Sequence, residues 1–507
     1  MAALVSSHLD KPVNLLCLSL LLLVCILSQR SCAQTTYKSV NLGGWLVVEG
    51  WIKPTLFDSI PDNDLTDGTQ IQLKSVTLGT YLVAEDGGGS KIAVNRNSAS
   101  GWETFKIWRV KDGSYQLRVF NKKFMVAQNG GGGIVNAVTT TPSTWETFQI
   151  IRNPSNRNQV HIKVLNGMYM QAKSQDQLTA DFQGEPGWGN NAATFEMNTF
   201  GQLKGEYQLT NGLGNRAQQV LNDHRNTFIT ESDFSFLSQH QINAVRIPVG
   251  WWIASDPNPP APFVGGSLKA LDDAFSWAKK HNIKIIVDLH AAPGSQNGDE
   301  HSGTRDGYIE WDSQNNIDKS ISVIDFLASR YAKDSALLGI ELLNEPRTAI
   351  QLDTLTPYYK KGYDTIRKYS SSAYVMMCNR IGGADPKELF QMNNGLTRTV
   401  VDVHYYNLFD DQKFKSMTVQ QNIDFVKYDR AALLNILLSA NGPLIYVGEW
   451  TSEWEVKGAS QSEYQRFGQA QLEVYGKASF GWAYWTHKNV QEHWSFQWMV
   501  QNQYLDL

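Results

Sequence analysis

The sequence predicts a (β/α)8 barrel (an α/β fold) interrupted after its first strand by an all-β insertion. Two observations carry this. From residue 244 to the C-terminus, short apolar runs alternate with stretches of helical periodicity. Residues 68–200 instead repeat themselves three times, without helical periodicity. A third observation is that the apolar runs end on polar or aromatic residues, as they do in barrels that build a site at the C-terminal rim.

The elements follow in chain order. Lys11, an apolar run over 15–27 and the small residues Ser31-Cys32-Ala33 predict a secretory signal, residues 1–33, removed in the mature protein. A run of that length is too short to span a bilayer. The expected location is therefore extracellular or the cell wall, with no membrane association after processing. Cys17, Cys25 and Cys32 leave with the signal, and Cys378 remains as a buried, inert thiol in a chain without disulfides. Residues 39–45 form the first barrel strand. Further strands are expected at 244–249, 283–289, 337–343, 374–378, 400–403, 444–447 and 480–484, with helices at 268–281 and 317–331 among those between them.

The barrel thus comprises 34–67 plus 201–507, and the insertion 68–200. Within the insertion, Tyr81-Leu82-Val83-Ala84 recurs as Phe124-Met125-Val126-Ala127 and as Tyr169-Met170-Gln171-Ala172. Trp102-Glu103-Thr104-Phe105 recurs as Trp145-Glu146-Thr147-Phe148, and more loosely as Ala193-Thr194-Phe195-Glu196. Three all-β units with a period of about 43 to 47 residues fit a β-trefoil. Residues recurring in every unit are expected in its core, the tryptophans and phenylalanines included. The insertion follows the first strand, so it stands beside the barrel's C-terminal mouth, and it is expected to take no part in the catalytic machinery.

Composition narrows the function. The net charge is −4 and no basic run exceeds two residues, which excludes a nucleic-acid partner. Sixteen Trp and twenty Tyr favour a sugar ligand, because pyranose faces stack on aromatic rings. No metal-ligand or nucleotide motif occurs, and no cofactor is expected.

Two segments carry the chemistry: Leu343-Asn344-Glu345-Pro346 and Val447-Gly448-Glu449-Trp450. Each places one glutamate at the end of a buried strand. A single strand-end glutamate is ordinarily a cap or an ion pair. Two converging on one cleft are what glycoside hydrolysis requires: an acid for the leaving oxygen, and a nucleophile or base opposite it. Arg246 is expected to end the second strand and Asp288 with His290 the third. His404 and Tyr406 end the sixth, and Trp485 the eighth.

These residues resemble glycoside hydrolase family 5, in particular its exo-β-1,3-glucanase (glucan 1,3-β-glucosidase) branch. The resemblance covers residues 38–58 and 222–507. It rests on Asn41-Leu42-Gly43-Gly44-Trp45, Arg246-Ile247-Pro248-Val249-Gly250, His290 to Gly298, Leu343 to Pro346, Val403-His404-Tyr405-Tyr406, Gly448-Glu449-Trp450 and Trp482 to Trp485. The insertion resembles a fascin-like domain, a combination similar to a secreted plant group. The resemblance implies a retaining enzyme that releases glucose from β-glucosides and β-1,3-glucans, with Glu345 as acid/base and Glu449 as nucleophile. It further implies that Arg246 favours the ionised form of Glu449, and that Asn344 binds the sugar 2-hydroxyl. His404 and Tyr406 would orient the glutamates, Trp485 would floor the subsite, and Glu49 with His290 would bind outer hydroxyls. One position departs. The branch carries an aromatic on the acceptor side where this chain has Asp299, with Phe409 as the opposite jaw, which implies a weaker acceptor grip and broad linkage tolerance. The remaining readings are an endo-acting glucanase or mannanase on the same barrel, and a non-catalytic wall-polysaccharide binder. The expected partners are a β-glucan or β-glucoside and, through the trefoil, cell-wall polysaccharide, with the protein acting as a monomer.

Overall fold

The computed structural model describes residues 36–507 apart from 62–64 and 112. The expected signal segment, with Cys17, Cys25 and Cys32, lies outside the described residues.

Eight parallel strands close into a barrel in chain order: β1 (Tyr37–Asn41), β2 (Ala244–Gly250), β3 (Lys284–Ala291), β4 (Leu337–Glu341), β5 (Tyr374–Cys378), β6 (Thr399–His404), β7 (Leu444–Trp450) and β8 (Gly481–Tyr484). β1 closes the ring by pairing with β2 on one side and β8 on the other. The strands form where short apolar runs were found. The run at 337–343 leaves the ladder at Glu341, two residues early, so that Asn344 and Glu345 sit in the loop beyond. The helices Ser267–His281 and Gln314–Tyr331 lie over the outside of the sheet. The first buries Ala270, Leu271, Ala274, Phe275 and Ala278, the three-and-four spacing of an amphipathic helix.

The barrel interior is layered. Ala244, Ile286, Val400 and Tyr446 belong to an apolar layer. Two residues further along three of those strands stand Arg246, Asp288 and Asp402, all fully buried. Side chains two apart share a face of a strand. The inward face therefore turns from apolar to charged in a single step toward the C-terminal rim. Arg246 is accordingly in the middle of β2 and not at its end, contrary to the sequence expectation. The ring of carboxylates around it permits a charge at that depth.

Between β1 and the helix Glu206–Leu213 stands a separate all-β domain of twelve antiparallel strands, from Gln70 to Phe200, four to each sequence repeat. Leu82, Met125 and Met170, and likewise Phe105, Phe148 and Phe195, are buried in its core. The repeated tryptophans are not: Trp102 is 39% and Trp145 45% exposed. Each lies in a turn closed by a serine N–H donating to the glutamate three residues on, Ser100 to Glu103 and Ser143 to Glu146, both at 2.7 Å. These turns hold the indoles outside the domain, and the chain enters the core only three residues later, at the phenylalanine.

The domain also grips the barrel. Arg118 donates to Asp306 and to Glu310, each at 2.8 Å, and Trp108 Nε1 donates to Asp306 at 2.6 Å. The Tyr308 hydroxyl lies 3.1 and 3.0 Å from the carbonyls of Val119 and Phe120. Arg305 Nε donates to Asp67, in the segment that leads into the domain, at 2.7 Å. All four barrel residues belong to the loop that follows β3, so the insertion stands beside the mouth, as expected. It holds one of the mouth's own loops.

Candidate active site

Glu449 is the next-to-last residue of β7 and pairs in register with His404 at the end of β6. Glu345 follows β4, with its backbone at φ +45°, a conformation that side-chain-bearing residues rarely adopt and that clusters at functional sites. His404 bridges the two. Its Nδ1 lies 2.6 Å from Glu345 Oε1 and 3.4 Å from Glu449 Oε2. One ligand atom each of Glu345, His404 and Glu449 lies within 4.8 Å of the others. Carboxylate oxygens that close suit a retaining pair, held roughly 5–5.5 Å apart, and fall short of the roughly 6.5–9.5 Å that an inverting enzyme keeps for water.

Such a cluster has the composition of a cation site, but donors engage all four carboxylate oxygens. His404 and His301 face those of Glu345, at 2.6 and 3.3 Å. Arg246 and Tyr406 donate to those of Glu449, at 3.0 and 2.8 Å.

Arg246 organises the floor. Its guanidinium donates to Glu341 through Nε and Nη2 at 2.7 and 3.1 Å, to Asn344 at 2.7 Å, to Asn41 at 3.1 Å and to Glu449 at 3.0 Å. Asp288 is also 3.1 Å away. One cation among so many carboxylates leaves an excess of negative charge. Burial, together with Asp288 and Asp402, holds Glu341 well above the carboxylate range despite Arg246.

The same competition governs the glutamate pair. Burial, followed by the charge of Glu345, raises Glu449 to about 7, against the pull of His404 and Arg246. Arg246 thus acts in the expected direction, and desolvation outweighs it. Burial also raises Glu345, but His404 and His301 overcome it and hold this carboxyl well below its ordinary range. Burial disfavours charge on His404, yet Glu449 and its other acidic neighbours carry it well above the usual imidazole value.

The other expected residues gather here. Asn344 accepts from Arg246 through its side-chain oxygen, and its buried Nδ2 has no partner among the described residues. Glu49 accepts from Trp51 Nε1 at 3.0 Å through one oxygen, while its other oxygen is buried and has no partner among the described residues. Burial raises Glu49 to about 8. His290 Nδ1 lies 2.6 Å from Asp288, and burial lowers its pKa to about 4, so it is neutral at pH 7. Trp485 is buried and stacks on His290, with ring centres 5.4 Å apart and planes within 8°. Phe409 is 78% exposed and packs edge-on against Tyr406. Asp299 pairs with Arg347 at 2.7 Å. Cys378 is buried, with its thiol pushed up to about 12 by burial.

Sequence reasoning missed Glu341, Asp402 and His301. The first two carried a readable signal: a lone acid inside an apolar strand run, on the inward face. His301 carried none, since a loop histidine reads as an ordinary surface group.

Residues 192–491, more than half of the chain, match the model described as Cellulase (glycosyl hydrolase family 5), and residues 62–200 match a domain of unknown function (DUF7910). The chain is 34% identical over 327 residues to the probable glucan 1,3-beta-glucosidase A of Emericella nidulans, covering 56% of this chain and 78% of that protein. It is 30% identical over 353 residues to the glucan 1,3-beta-glucosidase of Yarrowia lipolytica, covering 62% and 82%. In fold it is similar to AoRut (TM-score 0.51, 24% identity) and to the rutinosidase of Aspergillus niger (TM-score 0.50, 20% identity), covering 59% of this chain and 88% of each. With a closed eight-stranded barrel and two carboxylates bridged at its C-terminal rim, the chain belongs to glycoside hydrolase family 5.

Proposed function

We propose that the protein is a retaining, exo-acting β-glucosidase of the glucan 1,3-β-glucosidase type, with Glu345 as acid/base and Glu449 as nucleophile. The observation that carries this is the bridged pair, with an oxygen of each carboxylate within 4.8 Å of the other and of His404. In the first step Glu345 gives a proton to the glycosidic oxygen while Glu449 attacks the anomeric carbon, forming a covalent glycosyl-enzyme. In the second, Glu345 takes a proton from water, which displaces Glu449. Arg246 and Tyr406 hold Glu449 in attacking orientation. The unpartnered Asn344 Nδ2 and Glu49 oxygen suit sugar hydroxyls, the former the 2-hydroxyl. Relatives named as glucan 1,3-beta-glucosidases support a β-glucan or β-glucoside substrate and exo action.

The twelve-stranded insertion is read as the β-trefoil its repeats suggest. Its two pinned, exposed indoles, Trp102 and Trp145, stand at equivalent places in successive units. That duplication outside the core supports contact with an extended wall glucan. The signal-like N-terminus supports secretion, and a site complete within one chain suits a monomer.

Azide rescue tests the assignment. With an activated aryl glucoside, Glu345→Ala is expected to accumulate glycosyl-enzyme and, with azide, to give the β-glucosyl azide. Glu449→Ala is expected to give the α-anomer. Wild-type turnover in either variant overturns the assignment.

A further inference from the structure

The insertion's grip on the loop after β3 leads directly to the reacting proton. That loop carries His301 in a single 3-10 turn, Glu300–Ser302. The ring is partly buried against the site: its Nε2 is 3.3 Å from Glu345 Oε2, and its centre lies 5.2 Å from that of the tilted His290 ring. Asn297 completes the arrangement. Its Oδ1 accepts the N–H of Asp299 at 3.0 Å and its Nδ2 donates to the Glu345 carbonyl at 3.2 Å, which fixes the amide's orientation. The second Nδ2 hydrogen then points at His301 Nε2, 2.8 Å away. This contact is a hydrogen bond only when Nε2 carries its lone pair.

We propose that His301 is a positioning residue that shares the acid/base proton with Glu345, and that the inserted β domain sets this coupling by holding the loop between them. The proposal rests on Glu345 being the acid/base. One proton and one negative charge are divided over two arrangements: Glu345 carboxylate with His301 imidazolium, or neutral Glu345 beside a neutral His301 whose Nε2 lone pair accepts from Asn297. The Asn297 amide favours the second, which is the state competent to protonate a leaving group. The surroundings favour the first. Burial opposes charge on His301, but Glu345, then Glu49 and Asp299, carry it to about 9. Glu300 and His290 also face it. A pair balanced in this way keeps a proton for the first step and can hold one taken from water in the second.

The insertion enters through named contacts. Arg118 and Trp108 hold Asp306, Arg118 also holds Glu310, and Tyr308 reaches two carbonyls of the domain. The helix that follows the insertion adds Gln208, which donates to the carbonyls of Thr304 and Arg305 at 2.9 and 3.0 Å. Loosening these contacts frees the loop and withdraws His301 without touching the glutamates.

The test is the pH profile of kcat/KM. In the native enzyme the alkaline limb belongs to the shared proton. In His301→Asn it belongs to Glu345 alone, a carboxyl with less proton affinity than the pair. The limb should therefore move to lower pH by at least one unit, with kcat/KM on a glucose disaccharide falling roughly tenfold, part of the ~10²–10⁴ that general acid catalysis supplies. A 2,4-dinitrophenyl glucoside, whose leaving group needs no proton, should form glycosyl-enzyme at the native rate. Tyr308→Phe and Arg118→Ala should move the limb in the same direction, and should move it no further when combined with His301→Asn. An unmoved limb in His301→Asn, or a uniform loss on both substrates, overturns the proposal. Full additivity of Arg118→Ala with His301→Asn overturns the part assigned to the insertion. If Glu345→Gln lacks the same leaving-group dependence, the acid/base assignment itself has failed.

Discussion

Asp402 accepts the backbone N–H of Gly448 at 2.7 Å, and a Cβ at position 448 would stand 2.0 Å from an oxygen of that same carboxylate. The contact couples the inward acid of β6 to the residue immediately before Glu449. Asp402 in turn lies 3.8 Å from Arg246. The small residue at 448 is therefore a condition for Glu449 to reach its guanidinium partner.

Gly448→Ala should accordingly fail twice. Overpacking a rigid interior costs about 1–3 kcal/mol, and displacing Asp402 disturbs a buried network besides. Urea denaturation should show a lowered midpoint with an unchanged slope. The kcat of the folded fraction should fall by roughly 10² or more, because small misplacements at the reacting centre are costly. An unchanged midpoint with near-native kcat would show that Asp402 swings aside freely.

Tyr406→Phe probes the acid limb of the pH profile. Glu449 must be ionised to attack, and it titrates at about 7, so kcat/KM should fall as pH drops through neutrality. The Tyr406 hydroxyl donates to the ionised form at 2.8 Å and lowers that value. Its removal should raise the Glu449 pKa and carry the limb to higher pH by about one unit, the equivalent of about 1.4 kcal/mol. A lower kcat with an unmoved limb would mean that Tyr406 acts on substrate and not on Glu449.

The barrel was legible because each strand is a short apolar run and each run is followed by a turn or a helical period. Glu345 and Glu449 were legible because an acid after such a run has few reasons to be there. The depth of Arg246 was not, since a strand's inward face is visible in sequence while the position of the rim is not. Trp102 and Trp145 misled for a related reason. Repetition marks a conserved place in each unit, but Ser100–Glu103 and Ser143–Glu146 close turns that put this place outside the core. His301 depends on contacts between loop residues 305–310 and a domain that enters the chain some 200 residues earlier, beyond the reach of local pattern.

Asp299→Phe tests the acceptor side. The ion pair it breaks, to Arg347, is more than two-fifths exposed at both ends, so its loss should cost at most about 1 kcal/mol of stability. A phenyl ring across from Phe409 should add stacking of about 0.5–1.5 kcal/mol, or roughly 2- to 12-fold in kcat/KM on β-1,3-linked oligoglucosides. Aryl glucosides should change little. An equal response from both substrates, or none, would place residue 299 outside the acceptor site.

Replacing residues 68–200 with a short Gly/Ser linker should leave a folded barrel by circular dichroism, since the insertion buries a core of its own. Turnover of an unactivated aryl glucoside should nonetheless fall, because Asp306, Tyr308 and Glu310 lose their partners. Native turnover in the deletion variant would reduce the contacts to simple docking.

The exposed indoles give the last prediction. Trp102 and Trp145 are held by equivalent turns in successive units, while their neighbours Phe105 and Phe148 fill the core. Each indole lies beside a glycine loop: a Cβ at Gly87 would stand 3.2 Å from the Trp102 ring, a tight approach, and one at Gly130 3.5 Å from Trp145, an ordinary contact. Two flat, exposed rings offer a polymer two points of attachment, and the second attachment is intramolecular once the first is made. Trp102→Ala and Trp145→Ala should each weaken retention on insoluble β-1,3-glucan by roughly 2- to 12-fold, the worth of one stacked ring. The double variant should lose more than either single change while still hydrolysing short oligosaccharides at the native rate. Because neither indole touches the loop that carries His301, the pH profile on those oligosaccharides should also be native. Retention unchanged in the double variant would assign both rings to another surface role. A parallel loss on short substrates would tie them to the barrel and not to the polymer.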